Sequence, residues 1–177
     1  LAELILLLKY GGRWEYAAPL GSLLATHLKA RISREHSADR WMVIPMPMPP
    51  WRRWYRGLDH AGLIAGAVAS HLEVEVMQPL RKRAGQPQAM LSRSLRSRSS
   101  MDDYRLIRRG IRGFGGLLPN LQGVSVILVD DVLTTGRSMR AAGMLLRRLG
   151  PVRILAGALA VTEYNRTLKS PLSAPGM

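Results

Sequence analysis

Residues 124–138 read Val-Ser-Val-Ile-Leu-Val-Asp-Asp-Val-Leu-Thr-Thr-Gly-Arg-Ser. Val126 to Val129 form a short apolar, β-branched run, the pattern of a strand buried on both faces of a parallel sheet. Two carboxylates follow, Asp130 and Asp131. A turn of small hydroxyl residues and glycine comes next, Thr134-Thr135-Gly136-Arg137-Ser138. Met139, Met144, Leu145, Leu146 and Leu149 then repeat at helical spacing until Gly150-Pro151. The predicted order is strand, acid pair, turn, helix.

That order has a chemical use. Open α/β sheets place ligands beyond the carboxyl ends of their strands. The turn brings backbone N–H groups, two Thr hydroxyls and a Ser hydroxyl to a helix N-terminus, which suits a phosphate dianion. Gly136 lets the backbone approach closely. Paired carboxylates accept hydrogen bonds from two adjacent sugar hydroxyls, or hold a hydrated Mg²⁺. A sugar carrying a 5-phosphate and vicinal hydroxyls would satisfy the whole stretch. The same Asp-Asp ending occurs in Walker B segments, but those need a phosphate loop, and no G-x-x-x-x-G-K-[ST] is present. The reading requires the turn to face a cavity and the acids to be free of salt bridges to the rest of the protein.

The 177 residues suit one domain with a sizeable core, and the 47% hydrophobic content is that of a folded chain. No run of eighteen apolar residues exists. The opening Leu1–Leu8 run lacks a basic segment before it and reads as a core helix, not a leader. There is no cysteine, which excludes disulfides, a cysteine zinc site and cysteine catalysis within these residues. The net charge of +14 favours polyanionic partners: nucleic acid, an anionic membrane surface or phosphorylated small molecules. Only four of the 26 basic residues are lysines, so arginine-rich composition is an equally good origin of that charge.

Along the chain, a helix over 1–9 is expected to bury Leu1, Ile5 and Leu8, and Lys9-Tyr10-Gly11-Gly12 breaks it. A second helix over 15–32 puts Leu20, Leu23, Leu24 and Leu28 on one face; Pro19 interrupts it, and a start at that point would put the proline in its first turn. Ser33–Arg40 is a polar connector. Trp41–Ile44 is a strand running into the proline-dense loop 45–50, a stiff turn whose few N–H groups are candidates for a ligand. Trp51, Trp54 and Tyr55 interleave with Arg52, Arg53 and Arg56, a pattern that stacks on bases and grips phosphates. A helix from Leu58 to Leu72 carries Leu63, Ile64, Val68 and Leu72 inward, with Gly62 and Gly66 at sites of close packing and His60 and His71 as surface or capping residues. Val74–Val76 is a short strand. Ten basic residues then stand between Arg81 and Arg112, and residues 81–103 read as a mobile basic loop. Tyr104–Ile107 is a short strand, and Val152–Thr162 another parallel strand joined through helix 139–149. The tail from about 165 frays.

Val126–Ser138 resembles the ribose-phosphate signature of type I phosphoribosyltransferases: four apolar residues, two acids, two variable apolar residues, then TTGxS. The resemblance implies that Asp130 and Asp131 meet the ribose 2- and 3-hydroxyls of phosphoribosyl pyrophosphate (PRPP). It also implies that Val132, Leu133, Thr134, Thr135, Gly136, Arg137 and Ser138 complete the ribose and 5-phosphate site. Further motifs resemble the competence protein F family: Lys9-Tyr10-Gly11-Gly12, Pro45-Met46-Pro47, Arg56-Gly57-Leu58-Asp59-His60, and Gln88, Leu91 and Arg96. The likeness covers roughly residues 5–162. The cysteine zinc ribbon with which that family usually opens is not among these residues. Asp59-His60 replaces an Asn-Gln pair and Ser99 replaces a loop Asn, both on the pyrophosphate or acceptor side.

The implied fold is α/β: a type I phosphoribosyltransferase-like open, mainly parallel sheet flanked by helices, with a reduced hood, in one domain over 1–177. The implied cofactor is Mg²⁺, held at Asp130 and Asp131 through water. Pro45, Met46, Pro47, Met48 and Arg56 are expected on the pyrophosphate side, with Asp130, Asp131 and Arg56 as catalytic candidates. Gln88, Arg93, Arg96 and Arg98 would close over the site from the loop. The family analogy implies a cytoplasmic protein of DNA uptake or transformation, acting by pentosyl transfer. Two rivals stand beside it: a nucleic-acid-binding accessory that keeps the fold without chemistry, and a PRPP-sensing regulator. Single-stranded DNA or other competence proteins are then possible partners, and exposed apolar residues in the first two helices would permit a homodimer.

Overall fold

The computed structural model describes residues 1–35, 40–49, 58–83, 103–107 and 119–162. Its frame is a four-stranded, wholly parallel sheet. Strands β1 (Arg40–Pro45), β2 (Glu75–Val76), β5 (Val124–Leu133) and β6 (Arg153–Val161) lie in the order β2-β1-β5-β6. A separate antiparallel ribbon pairs β3 (Leu80–Lys82) with β4 (Tyr104–Leu106). The helices are α1 (Ala2–Tyr10), α2 (Ala17–Glu35), α3 (His60–Leu72) and α4 (Arg137–Leu146).

The central pair, β1 and β5, is apolar on both faces because helices cover both sides. Trp41 and Val43 of β1, with Ile127 and Val129 of β5, pack against α1, α2 and α3. Met42 and Ile44, with Val126 and Leu128, pack against α4 and the ribbon. Successive side chains of a strand point to opposite faces. β5 does not stop at Val129. Its ladder with β6 runs on through Asp130↔Ala158, Val132↔Ala160 and Leu133↔Val161. The acids therefore stand inside the last third of the strand, not after it. Alternation then directs Asp130 toward the α4 layer and Asp131 toward the α1 layer.

Several details differ from the sequence expectations. Leu1 is 58% exposed and Leu23 49%, while Ile5, Leu8, Leu20, Leu24 and Leu28 are buried. The first two helices thus show apolar side chains outward as well as inward. Helix α2 begins at Ala17, so Pro19 falls in its first turn, where the missing N–H costs nothing. His60 is buried, not superficial. Asp59 caps α3 by accepting a hydrogen bond from the Gly62 N–H at 3.1 Å. Gly66 opens on free space, and the close approach of α2 and α3 occurs instead at Gly21, where an added Cβ would lie 2.4 Å from the Ala67 Cβ. Arg81 and Lys82 belong to β3, so the basic segment starts as a strand. The expectations for Trp51–Gly57, including Arg56, for Gln88, Arg93, Arg96 and Arg98, and for the tail lie outside the described residues. Among the described residues, no helix is long and apolar enough to cross a membrane.

Candidate ribose-phosphate site

At the carboxyl end of β1 and β5 a cavity of about 260 Å³ opens between the proline loop, α1 and the ribbon. Asp130, Asp131, Val132, Thr134 and Ser138 line it from the signature stretch. Leu133 and Gly136 border a larger groove of about 520 Å³ beside α4, on the other side of the turn. Thr135 and Arg137 are exposed and line neither cavity. Gly136 has φ +69°, a left-handed conformation that glycine adopts without strain, and it caps α4. It also lets the chain turn from β5 into α4, setting Thr134 and Ser138 on the cavity wall.

The two acids are oriented by the backbone around them. Asp130 Oδ1 accepts the Asp131 N–H at 2.9 Å, and Asp131 Oδ1 accepts the Val132 N–H at 2.7 Å. Burial raises the pKa of Asp130, the field of Asp131 adds to it, and the carboxyl is pushed up to about 7. On the α1 side, Lys9 Nζ lies 3.0 Å from Asp131 Oδ2, with both side chains less than one-fifth exposed. The requirement that the acids be free of ion pairs is therefore not met at Asp131. Lys9 itself lines the cavity, so the pair is a contact within the site and does not tie the acid away from it.

The proline loop is a thinner anion seat than its place in the sequence implies. Met46, Pro47 and Met48 line the cavity, joined by Pro49. Pro45 sits within β1 and is buried. The prolines carry no N–H, and the Met46 N–H donates to the Val129 carbonyl at 2.7 Å. Among the described loop residues, Met48 is left with the one amide outside the sheet ladder.

Beside Pro49 and Ala61, three polar cavity residues escaped the sequence reading: Lys9, Lys82 and Tyr104. Lys82 and Tyr104 face each other across the ribbon, with the Lys82 ammonium 5.4 Å from the Tyr104 ring centroid. Burial raises the Tyr104 pKa, partly offset by its hydrogen bond with Ser138, and the fields of Asp103 and Asp130 raise it further. The ribbon thus reaches the Thr134–Ser138 turn through a hydroxyl–hydroxyl contact. Lys9 was visible in a motif, but nothing local signalled Lys82 or Tyr104.

Among the described residues no three of His, Cys, Asp or Glu gather at metal-binding distance. A protein-only cage for Mg²⁺ does not fit. A hydrated ion, held through water by the two acids and directly by oxygens of a ligand, does fit this hard-oxygen donor set.

Residues 58–171 match the phosphoribosyl transferase domain family. That match spans more than half of the chain, and the chain belongs to this family. The DNA utilization protein YhgH of Escherichia coli K12 is 30% identical over 166 residues, 92% of this chain and 67% of that protein. Competence protein F of Haemophilus influenzae is 27% identical over 121 residues, 67% of this chain and 49% of that protein. A hypoxanthine-guanine phosphoribosyltransferase of Bacillus anthracis has the same fold, with a TM-score of 0.52 at 14% identity, over 89% of this chain and 75% of that one. Together these define a competence-protein-F-like phosphoribosyltransferase-fold protein, as the resemblance of its motifs implied.

Proposed function

We propose that the chain binds PRPP in the 260 Å³ cavity and acts as a phosphoribosyltransferase-like protein in the handling of DNA or its nucleotides. The observation that carries this reading is the convergence of Asp130, Asp131, Thr134 and Ser138 on one cavity at the carboxyl end of a parallel strand. Asp130 and Asp131 take the two ribose hydroxyls from opposite faces of the sheet. Thr134, Ser138 and the amides opening α4 hold the 5-phosphate. Pyrophosphate then points toward the proline loop, where Met46, Pro47 and Met48 line the cavity. Loss of pyrophosphate passes through an oxocarbenium-like sugar, and no nucleophile from the protein is required. Neutralisation of the leaving charge is what a bound Mg²⁺ supplies. The role in DNA uptake or utilization rests on the names of the relatives and remains at the level of family analogy.

Titration calorimetry of the intact protein tests this. PRPP is expected to release heat of binding with Mg²⁺ present, and much less after chelation. An absence of heat in both conditions overturns the reading. A base-by-base search for pyrophosphate release would then separate a transferase from a PRPP sensor.

A second reading has its own observation. In the ribbon, Arg81 stands directly opposite Arg105, both exposed, with exposed Arg83 just past the end of β3. Like charges opposed across strands are destabilising unless an anion lies between them. Single-stranded DNA along this face would supply one. Gel-shift titrations are expected to show binding that weakens steeply with salt and survives Asp130→Asn/Asp131→Asn. Salt-insensitive binding, or none, removes this reading.

A further inference from the structure

In the Lys9-Tyr10-Gly11-Gly12 motif, Lys9 lines the cavity and pairs with Asp131, but no ligand-directed role has been given to it so far. The fold gives it one. Ile5 and Leu8 are buried at 4% and 0% exposure, which fixes α1 against the core on one face of the sheet. The chain then doubles back on the helix end. The Gly11 N–H donates to the Leu7 carbonyl at 2.8 Å, and an added Cβ on Gly11 would lie 2.7 Å from that carbonyl oxygen. Gly12 follows with φ +64°. Lys9 is thereby held in the last turn of α1, with its ammonium at the cavity.

Two deficits meet there. Asp131 has both oxygens engaged before any ligand arrives, one by the Val132 N–H and one by Lys9. Among the described residues of the loop beside Lys9, only the Met48 amide is left to offer an anion. A lysine ammonium has three N–H donors, so one can stay on Asp131 while the others reach ligand oxygens. Its positive charge also offsets the acids, which by themselves repel a polyphosphate.

We propose that Lys9 is a ligand-positioning residue of the sugar-phosphate site, steadying Asp131 and donating to the anionic group carried at C1 of the ribose. This rests on the PRPP reading above and deepens it. The N-terminal helix becomes part of the site, and selection for a second phosphate-bearing group is assigned to Lys9. Ribose 5-phosphate has no anion at C1, so Lys9 matters less to its binding.

The test compares PRPP and ribose 5-phosphate by calorimetry, in the presence of Mg²⁺, for the wild type, Lys9→Gln and Lys9→Arg. A charge-assisted hydrogen bond lost to Gln is expected to weaken PRPP by about tenfold or more, and ribose 5-phosphate by less than about threefold. Lys9→Arg, which keeps charge and donors, is expected to restore most of the PRPP affinity. Thermal melts without ligand confirm that each variant is folded. If Lys9→Gln does not fold, the Lys9→Arg variant carries the test through its ratio of PRPP to ribose 5-phosphate affinity, expected to stay near that of the wild type and to exceed tenfold in favour of PRPP. Equal weakening of both ligands, or none, in a wild type that binds PRPP overturns the assignment and leaves the PRPP reading standing. A wild type that binds neither ligand overturns the PRPP reading itself.

Discussion

Asp130→Asn/Asp131→Asn is expected to weaken PRPP binding by at least about a hundredfold, because two charged acceptors for ribose hydroxyls are lost and each is worth roughly 1.5–3 kcal/mol. The substitution is conservative in shape. An Asn side-chain oxygen at either position can still accept the backbone N–H that the carboxylate now takes, from Asp131 at 2.9 Å and from Val132 at 2.7 Å. Loss of binding would then report on charge and not on collapse of the strand end. Calorimetry at matched Mg²⁺, with a melt to confirm folding, checks it. Affinity within a few-fold of the wild type would mean that the ligand sits elsewhere.

The second large effect concerns Asp130 and pH. Its carboxyl is pushed up to about 7 by burial and by Asp131, against an ordinary value of 3.8. A raised acid binds its proton more tightly in the fold than in the unfolded chain. Its contribution to stability is complete below the ordinary value and is lost as pH rises through about 7. Ionising it in place costs up to about 4 kcal/mol at alkaline pH. Asp130→Asn removes that cost. In the absence of ligand and metal, the variant should melt close to the wild type at pH 4. At pH 8 it should melt higher, by on the order of 10 °C. The comparison is of the two proteins at each pH, since other groups shift both curves together. A constant offset across the range would show that Asp130 ionises without penalty. The same site that weakens the fold at pH 8 is the one expected to bind the sugar there, a trade between stability and activity common at functional sites.

The stretch 124–138 made the centre of this fold legible because its signals are local and agree with one another: an apolar run, acids, and a glycine turn at a helix start. The parallel sheet, its flanking helices and the cavity at the strand end follow from it. Where the reading erred, the deciding information was tertiary. β5 extends to Leu133 because β6 pairs with it that far, which two charged residues in the run concealed. β3 is three residues long and two of them are basic, so Leu80–Lys82 looked like the start of a loop. Leu23 has helical spacing with Leu20, Leu24 and Leu28 yet faces outward, since spacing marks a stripe without fixing its edges. Lys9 and Asp131 are 122 positions apart in sequence, and only the placement of α1 brings them together.

The alternation of side chains along β5 has a further consequence. The two acids are moored to different layers of the protein, Asp130 above α4 and the ribbon, Asp131 above α1. They act as jaws whose gap depends on how the sheet twists between two independently packed cores. A repacking substitution confined to one layer, such as Ile64 under one face or Leu146 under the other, would shift a single jaw and leave its opposite in place. The proposed grip on a vicinal diol would thus be tunable from either side of the sheet, without touching the residues proposed to seat the phosphate.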